Sequence, residues 1–566
     1  MTERPLAWIL AGSALLPVLS GVVGLIRTGS PGLALAEEAE ISFEAVPPDK
    51  WTGEPYELAG KRLVFTNWYY VRPGGYAWVD AQGSNVSANR AQKIGPWGAR
   101  FERADDAPRG IRLFAEKPER RGPIVEAERP WEEMGLSIRY ALKEGDRYRA
   151  WGSCQDKEAA SYQCYFESAD GLVWQRPSLR LVDYQGSNEN NLIPEAPHCV
   201  FLDPTAPSDE RYKGVSDGHV EKAQFEAFIE RYPDRWQHRA LRKDANFIAA
   251  LYGYVSPDGL RWTRLADPFT IEHTDTQVVG CYDAVRKKYM VFTRTYFVGP
   301  RSPRAPDDPA GMGWLGEARG SGRRSIGYTE SDKFGDFPVS DIILSPRSDM
   351  SPTELLYTNG YTTVPGAPDH HLLFPTVWDT SDDTTHLEMA ASHNGRLWNW
   401  VPGGRLMETG NFGRFDGGCI FWHPNLIELA DGDFALPYTG YEFPHKYPRG
   451  AWSYRPGYAV WPKGRLVALE APEEGEFSTV SFMSPGRKLR INAVTKRAGH
   501  VLVAVTRRNG DFLPGRSLDD AVPIVGDQCR TLVQWRGGDD LGVEEGEPIA
   551  IRFRMRKAKI YGLDFE

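Results

Sequence analysis

Residues 168–174 spell S-A-D-G-L-V-W, and close copies follow as S-P-D-G-L-R-W at 256–262 and S-H-N-G-R-L-W at 392–398. A degraded copy begins at Ser331-Asp332. In such a turn the Asp or Asn side chain accepts backbone N–H bonds, Gly supplies a positive φ, and Trp packs back between neighbouring sheets. The motif therefore predicts a hairpin that returns at the same place in a repeated unit.

The spacing of the copies indicates the size of that unit. Intervals of 88, 74 and 62 residues separate positions 170, 258, 332 and 394. A four-stranded propeller blade takes about 40–50 residues, so each interval holds a blade and an insertion. Short apolar and polar alternations between Gly, Pro, Asn and Asp are typical of an all-β chain. We predict a five-bladed β-propeller over residues 61–470, with unmarked blades near its ends.

The C-terminal residues predict a second, smaller β domain. Apolar residues alternate with others at 501–505 and 549–553, and Asn509-Gly510 and Gly537-Gly538 mark tight turns. This pattern favours a compact antiparallel β-sandwich over residues 471–566, acting as an accessory domain. The predicted fold class is therefore all-β: a five-bladed β-propeller followed by a small antiparallel β-sandwich.

The N-terminus predicts export. An apolar run from Leu6 to Ile26 follows Arg4 and precedes Ala34-Leu35-Ala36, which indicates a signal peptide over residues 1–36, cleaved after Ala36. The alternative is an uncleaved N-terminal anchor, because a run of this length spans a bilayer. Residues 37–60 form a linker. We expect a periplasmic or extracellular protein that meets the membrane only through that N-terminal segment, if it stays uncleaved.

The amino-acid composition indicates which classes of binding partner suit this protein. The net charge is −9 and no basic stripe is present, so nucleic acid is an unfavourable partner. The chain is rich in aromatic residues, with 18 Trp and 25 Tyr. Most of these are expected in core packing, but flat aromatic faces also suit the rings of sugars. We therefore expect a carbohydrate partner.

The cysteines and histidines predict neither a metal nor a cofactor. None of the six cysteines falls in a C-x-x-C pair, and the spacing of His370-His371 suits no standard metal site. Cys154 and Cys164 could bridge locally in an oxidising compartment. For so large a core we favour the alternative, in which all six are small, mostly buried thiols.

Six longer stretches carry a likeness to known proteins: YFESADGLVWQRPSLRLVDYQGSNENNLI (165–193), FLDPTAPSDERYKGV (201–215), HTDTQVVGCYDAVRKKYMVFTRT (273–295), GRRSIGYTESDKF (322–334), RFDGGCIFWHPNLIELADGDFALPYTGY (414–441) and GRSLDDAVPIVGDQCRTLVQWRG (515–537). They resemble exported five-bladed glycoside hydrolases of the family 32 N-terminal-domain and family 43 type, which carry a C-terminal β-sandwich. The resemblance implies glycoside hydrolysis. The family 32 nucleophile motif W-M-N-D-P-N/D-G is absent, since residues 64–70 spell V-F-T-N-W-Y-Y, and an R-D-P triplet is missing too.

Glycoside hydrolysis needs two carboxyl groups, about 5 Å apart for retention or ~6.5–9.5 Å apart for inversion. The resemblance places such acids at the starts of innermost strands, facing a central funnel. Asp275 before residues 278–282 and Asp416 before residues 419–422 fit that placement, and Glu354 is a candidate general acid. The structural alternatives are a turn-capping Asp275, a bulge at Asp416 and a solvated loop Glu354.

Other residues around these acids are candidates for substrate binding, although each alone is more often structural. Aromatic rings suit stacking on sugar, and Arg, His, Asn and Gln suit bonding to hydroxyl groups. The candidates are Trp68, Tyr69, Tyr357 and Trp422 for stacking, and His198, Gln277, Arg294, Arg324 and Asn359 for hydrogen bonding. The pair Arg323-Arg324 suits a carboxylate or sulfate on an acidic sugar equally well.

Three functions remain open on the sequence. The first is a glycoside hydrolase acting on an oligo- or polysaccharide through paired carboxylates in the propeller funnel. The second is a non-catalytic carbohydrate-binding propeller, which the missing nucleophile motif favours. The third is a glycoside phosphorylase-like enzyme, which Arg and His near the funnel would favour.

Overall fold

The computed structural model describes residues 54–86, 98–103, 106–237, 248–297, 323–447 and 453–566. The predicted signal peptide and most of the predicted linker lie outside these residues. The described chain is almost entirely β, and its one α-helix of more than two turns is α1 (Lys222–Arg231), inserted in the second blade. The all-β prediction is confirmed.

Two of the first three propeller blades are regular four-stranded antiparallel sheets, and in the other, blade 1, the innermost segment is divided into two short strands that both pair with the next strand. Each runs from an innermost strand outward in chain order, which places the start of each innermost strand at one end of the ring. The strands are β6 (Gly135–Leu136), β7 (Tyr140–Glu144), β8 (Arg147–Gln155), β9 (Ser161–Ser168) and β10 (Leu192–Ile193) in blade 1; β11 (Cys199–Leu202), β12 (Tyr212–Val220), β13 (Ile248–Ser256) and β14 (Thr263–Arg264) in blade 2; and β15 (Val279–Asp283), β16 (Lys288–Phe297), β17 (Arg323–Ser331) and β18 (Asp341–Leu344) in blade 3.

Blade 4 also runs from an innermost strand outward in chain order, but each of its four strands is divided into two shorter strands. Its two half-sheets pair in the orders β19-β22-β23-β26 and β20-β21-β24-β25, so both halves follow the same four segments. These strands are β19 (Glu354–Leu356), β20 (Thr362–Val364), β21 (Ala367–Leu373), β22 (Thr376–Asp379), β23 (Thr384–Leu387), β24 (Ala390–Ser392), β25 (Asn399–Trp400) and β26 (Met407–Glu408).

Blade 5 is completed by a strand from the other end of the propeller. Its C-terminal strands are β27 (Cys419–Trp422), β28 (Ile427–Glu428), β29 (Phe434–Tyr441) and β30 (Tyr454–Trp461). The outer strand is β5 (Glu119–Arg121), which precedes blade 1 and pairs antiparallel with β30, with Arg120 opposite Ala459. Blade 5 is thereby hydrogen-bonded to the segment that begins the propeller, and the five blades predicted from the repeat are present.

The C-terminal sandwich also recruits strands from the N-terminal side. Its own strands are β31 (Val467–Ser478), β32 (Phe482–Met483), β33 (Leu489–Thr506), β34 (Asp527–Leu532) and β35 (Pro548–Phe565). They are joined by β1 (Arg62–Val64), which pairs with β35, and β4 (Arg112–Ala115), which pairs with β31. A separate hairpin consists of β2 (Tyr76–Val79) and β3 (Arg100–Arg103). Sequence analysis placed residues 62–64 and 112–115 in the propeller, whereas their hydrogen bonds are with the sandwich.

The repeated motif forms the turn that its sequence predicts. Asp170 Oδ1 accepts the backbone N–H groups of Leu172 and Val173 at 2.8 and 2.9 Å, and Gly171 has a φ of 78°. Trp174 Nε1 donates to the Tyr458 hydroxyl of blade 5 at 3.1 Å, so the indole packs against the next blade. The copies that begin at Ser256 and Ser392 repeat the bonds from the Asp or Asn, and each lies between the third and fourth strands of its blade.

The turn glycine at position 259 yields a first prediction. Gly259 has a φ of 75°, and a Cβ there would lie 2.9 Å from Trp151 Cζ2. Gly259→Ala should lower the free energy of unfolding by about 1–3 kcal/mol more than Gly432→Ala, because Gly432 has a similar φ of 85° but no atom within 4 Å of its added Cβ. Chemical denaturation of both variants measures the difference, and equal losses would show that contact with Trp151 does not constrain the turn.

The six cysteines are free thiols, and all but Cys281 and Cys529 are buried. Cys154 and Cys164 lie on adjacent strands, where Gly152 is the register partner of Cys164 and Tyr162 that of Cys154. Burial raises the pKa of the Cys154 thiol well above its usual range. These two thiols therefore serve as core packing in this structure.

Candidate functional site

The starts of the innermost strands surround an axial pocket of about 690 Å³. All five blades contribute to its wall, so a central funnel of the kind that the resemblance implies is present. The described lining residues are Met134, Arg139, Tyr140, Gln155 and Ala159 from blade 1, His198 from blade 2, Asp275, Thr276 and Gln277 from blade 3, Tyr357 and Thr358 from blade 4, and Phe421, His423, Thr439, Tyr441, His445 and Tyr454 from blade 5.

Asp275 is the one carboxylate among the described lining residues. It lies just before β15, and its side chain is 48% exposed. Arg294 forms an ion pair with Asp275 Oδ1, and Arg324 Nη2 lies 3.5 Å from the same oxygen. Both arginines are buried, and nearby cations favour the ionised form of a carboxylate. Asp275 is therefore an anion held at the pocket surface by cations beneath it.

The two arginines are themselves fixed by aromatic and imidazole rings. Arg324 lies over the ring of Tyr357, with its guanidinium carbon 4.0 Å from the ring centroid. Arg294 Nη2 lies 2.9 Å from His273 Nδ1, and its guanidinium carbon is 5.2 Å from the centroid of Tyr296. These contacts restrict the rotamers of Arg294 and Arg324, and the two arginines in turn hold the Asp275 carboxylate in place.

Gln277 and Asn359, both predicted to bind substrate, connect the blades. Gln277 Nε2 donates to the Trp422 carbonyl at 2.8 Å, and its Oε1 accepts the Gly360 N–H at 2.7 Å. Asn359 Nδ2 donates to the Gln277 carbonyl at 2.9 Å, and Asn359 is buried. The two amides thus join blades 3, 4 and 5 beneath the pocket floor, where Gln277 still contributes to the lining.

His198 is a candidate that lines the same pocket as Asp275 from another blade. It precedes β11, lines the pocket, and its side chain is 39% exposed. Its Nδ1 lies 2.7 Å from Asp217 Oδ1 on β12. This contact has ion-pair distance but is not a hydrogen bond, since Asp217 Oδ1 has no hydrogen-bond partner among the described residues.

The blade 5 wall is aromatic and carries two buried histidines. His423 Nε2 lies 2.7 Å from the Thr439 hydroxyl, and burial, assisted by the charge of Arg139, lowers the pKa of His423 to about 3. His445 packs edge-on against Tyr357 at 4.7 Å between ring centroids. A neutral His423 among Phe421, Tyr441 and Tyr454 gives this wall an apolar surface with polar edges, which suits a sugar ring.

Asp416, the second predicted catalytic carboxylate, is engaged elsewhere. Its side chain is 0% exposed and it is not among the described lining residues. It forms an ion pair with Arg120 of β5, and its Oδ2 accepts the Tyr438 hydroxyl at 2.9 Å. Arg414 Nε lies 3.5 Å from Oδ1. The structure thus places Asp416 inside blade 5, next to the strand that completes that blade, instead of beside a substrate.

Glu354, the predicted general acid, is likewise outside the described lining. Its Oε2 accepts the Ser351 N–H at 2.7 Å, and its Oε1 accepts Arg405 Nη2 at 3.0 Å. His386 Nε2 lies 3.9 Å from the same Oε1. Glu354 is buried and caps the turn before β19. The structure therefore does not bring Asp275, Asp416 and Glu354 together in one described pocket.

Three predicted stacking residues also lie away from the described lining. Trp68 and Tyr69 belong to a short 3-10 helix next to the sandwich, and Tyr69 stacks on His393 with 3.6 Å between ring centroids. Trp422 is completely buried. The first two are partly exposed because they precede the propeller, whereas Trp422 points into the core from β27. Of the four predicted stacking residues, Tyr357 alone is in the described lining.

Sequence reasoning missed most of the wall supplied by blades 1 and 5. Arg139 and Tyr140 stand at the start of β7, and Phe421 and His423 stand along and just after β27. Position relative to an innermost strand is the signal that these residues share. That signal can be used only when the first strand of each blade is known, and no turn motif precedes the first strand of blade 1.

The described residues contain neither a metal-binding cluster nor a membrane-spanning helix. Within the described ranges no group of three or more His, Cys, Asp or Glu side chains is arranged to hold a metal ion. None of the described helices has the length and apolar character needed to cross a bilayer.

Comparisons with known proteins give only distant structural likeness. No family model and no curated protein matches the chain. A structure described as a glycoside hydrolase shares 10% identity over 66% of this chain and 96% of its own, with a TM-score of 0.37. The Bombyx mori GH32 beta-fructofuranosidase shares 9% over 79% and 95%, with a TM-score of 0.33. The Podospora anserina alpha-L-arabinofuranosidase, solved with cellotriose, shares 11% over 62% and 98%, with a TM-score of 0.31.

Proposed function

We propose that this protein hydrolyses glycosidic bonds of a saccharide bound in the axial pocket. The observation that carries the proposal is the half-exposed Asp275 carboxylate, held by Arg294 and Arg324 at the meeting point of five blades. A fixed anion in a concave, partly apolar site is what glycoside hydrolysis requires to activate water or stabilise positive charge at the anomeric carbon.

The dimensions and lining of the pocket support a saccharide ligand. Sites for small ligands usually measure about 300–1,000 Å³, and this pocket has about 690 Å³. Tyr357, Phe421, Tyr441 and Tyr454 supply aromatic surface, while Thr276, Thr358 and Gln155 supply groups that bond hydroxyls. Aromatic faces with interspersed donors and acceptors match the alternating C–H and O–H surface of a sugar.

The proposed chemistry uses Asp275 and His198. Asp275 accepts a proton from the water that attacks the anomeric carbon. His198 donates a proton to the glycosidic oxygen as the carbon–oxygen bond breaks, and the Asp217 carboxylate lies 2.7 Å from its Nδ1. Asp416 and Glu354 are left out of this scheme because each is buried in ion pairs outside the described lining.

The proposal is tested by hydrolysis of a panel of aryl glycosides and plant and bacterial polysaccharides. Release of the aryl alcohol or of reducing ends, followed for the purified chain, measures turnover. We expect hydrolysis of at least one member of the panel, without any requirement for added phosphate. Binding of saccharide without turnover on any member would replace the proposal by the second candidate described below.

His198→Gln is expected to slow hydrolysis of substrates with poor leaving groups by about 10²-fold, because the proton donor is lost. Hydrolysis of a 2,4-dinitrophenyl glycoside of the same sugar should change much less, since that leaving group departs without a proton. The ratio of the two rate constants measures this effect. Equal losses on both substrates would show that His198 positions the saccharide and does not protonate it.

The presence of a single carboxylate in the described lining supports a second candidate function. Within the described lining Asp275 has no carboxylate counterpart, because Asp217 is reached only through His198. The same pocket without a proton donor would be a saccharide-binding site of a non-catalytic propeller. The polysaccharide panel separates the two functions, since a binding protein retains ligand and releases no reducing ends.

A further inference from the structure

Arg139 presents a positive charge to the axial pocket. It precedes β7 in blade 1, is partly buried, and is the one Lys or Arg among the described lining residues. Its charge affects residues of the neighbouring blade 5: it lowers the pKa of His423 and opposes the increase in the pKa of Tyr454 that burial causes. The guanidinium therefore lies close to the blade 1–blade 5 side of the wall.

Several other propeller arginines have acidic partners. Asp275 is shared by Arg294 and Arg324, Asp416 is paired with Arg120, and Glu354 is paired with Arg405. Throughout the described residues, by contrast, no carboxylate lies within ion-pair distance of the Arg139 guanidinium, and no side-chain hydrogen bond engages it.

This arrangement leaves the pocket with an excess of positive charge. The single carboxylate of the described lining, Asp275, already contacts two guanidinium groups, so it does not neutralise Arg139. The protein as a whole carries a net charge of −9, which makes a cationic pocket a local exception. A partly desolvated cation without a counter-ion is costly, and an anion supplied by a ligand would remove that cost.

We propose that the saccharide bound in the axial pocket carries an anionic substituent, a carboxylate or a sulfate ester, and that Arg139 is its counter-ion. This inference rests on the proposed function only in taking a saccharide as the occupant. A planar guanidinium bonds such groups through two parallel N–H donors, which fixes orientation as well as charge. Arg139 is therefore a specificity-determining residue, distinct from Asp275 and His198.

An anionic sugar fits the pocket better than a free inorganic anion does. The volume of about 690 Å³ far exceeds that of one phosphate or sulfate ion, and aromatic rings from blades 1, 4 and 5 line much of it. Aromatic faces bind the apolar side of a sugar ring but make no favourable contact with a hydrated inorganic ion. The wall and the cation together thus match a ring that bears a charged group.

The experiment compares sugars that differ only at carbon 6. Glucose, glucuronate and glucose 6-sulfate, and the same three forms of galactose, are titrated by ligand-observed NMR at constant ionic strength. We expect at least one anionic sugar to bind about tenfold more tightly than its neutral counterpart, which corresponds to about 1.4 kcal/mol. Arg139→Met should abolish that difference, and Arg139→Lys should restore part of it.

Arg147→Met is the matched control, because Arg147 is an exposed arginine at the far end of the β7–β8 hairpin and lies outside the pocket. It should leave all affinities unchanged. Thermal unfolding of each variant establishes that it is folded, and the Lys variant keeps the test valid if the Met variant is not.

The outcomes separate this inference from the proposed function. Equal affinity for neutral and anionic sugars, or binding of none of the six, overturns the inference. Arg139-dependent binding of inorganic phosphate with no binding of anionic sugars also overturns it, and points to a phosphate co-substrate. Arg139-dependent binding of an anionic sugar, without hydrolysis of its glycosides, supports the inference and contradicts the proposed hydrolysis. Hydrolysis of neutral glycosides by a wild type that shows no preference for the anionic counterparts does the reverse.

Discussion

Asp275→Asn should reduce turnover by about 10³–10⁴-fold on any glycoside that the wild type hydrolyses. Asparagine has nearly the same shape but carries no charge, so it can neither accept a proton from water nor stabilise a developing positive charge. The substitution also removes the anion that Arg294 and Arg324 share. Initial rates for the wild type and the variant, measured at saturating substrate, give the ratio directly.

The loss should fall on the rate of the chemical step more than on binding. Aromatic and hydroxyl-bonding groups supply most of the saccharide contacts in the proposed pocket, so the affinity of Asp275→Asn for product should stay within about tenfold of wild type. Asp146→Asn, in the exposed turn between β7 and β8, is the matched control and should keep full activity. Turnover that survives Asp275→Asn unchanged would remove Asp275 from the mechanism.

Arg120→Met should lower the free energy of unfolding by about 3–5 kcal/mol, because it leaves the buried carboxylate of Asp416 without its main counter-ion. Asp416 is 0% exposed, and its remaining partners are the Tyr438 hydroxyl and the half-exposed Arg414. Arg120 belongs to β5, so the ion pair also joins the first propeller strand to blade 5. Denaturant unfolding of the intact chain measures the loss.

A neighbouring arginine provides the control for that measurement. Arg121 lies next to Arg120 on β5 and pairs with Asp433, but both its side chain and its second partner, Glu119, are partly exposed. Arg121→Met should cost about 1 kcal/mol or less. The double variant Arg120→Met/Asp416→Asn should recover part of the loss, since no uncompensated charge then remains. If Arg120→Met cost no more than Arg121→Met, the pair would not stabilise the closure of blade 5.

The fold was largely predictable because its signal is local. Asp170 bonds the N–H groups two and three residues ahead, and Gly171 takes the positive φ that the turn needs. A bond of this kind depends on a few consecutive residues, so four copies in one sequence reveal four equivalent hairpins. Blade 5 lacks the motif, and its presence was predicted only by counting the blades that residues 61–470 can hold.

The candidate site was predictable only in part. Asp275, Gln277, His198 and Tyr357 were found because each stands just before or near a predicted strand, and all four line the pocket. Asp416 and Glu354 satisfied the same rule but are engaged by Arg120 and Arg405 instead. A carboxylate before a strand can face the axis or pair within its own blade, and its sequence neighbours do not distinguish the two.

The sequence by itself determined the all-β class and the repeated turn, since each follows from hydrogen bonds that span a few residues, and the number of blades followed from the spacing of the turns. The tertiary structure decided the rest. It joined Arg120 to Asp416 across 296 residues, added β1 and β4 to the sandwich, and placed Arg139 in a pocket that residues of blade 5 also line. These contacts depend on where whole blades come to lie around the axis. That placement is set by the packing of every intervening strand and insertion, which no short stretch of sequence encodes.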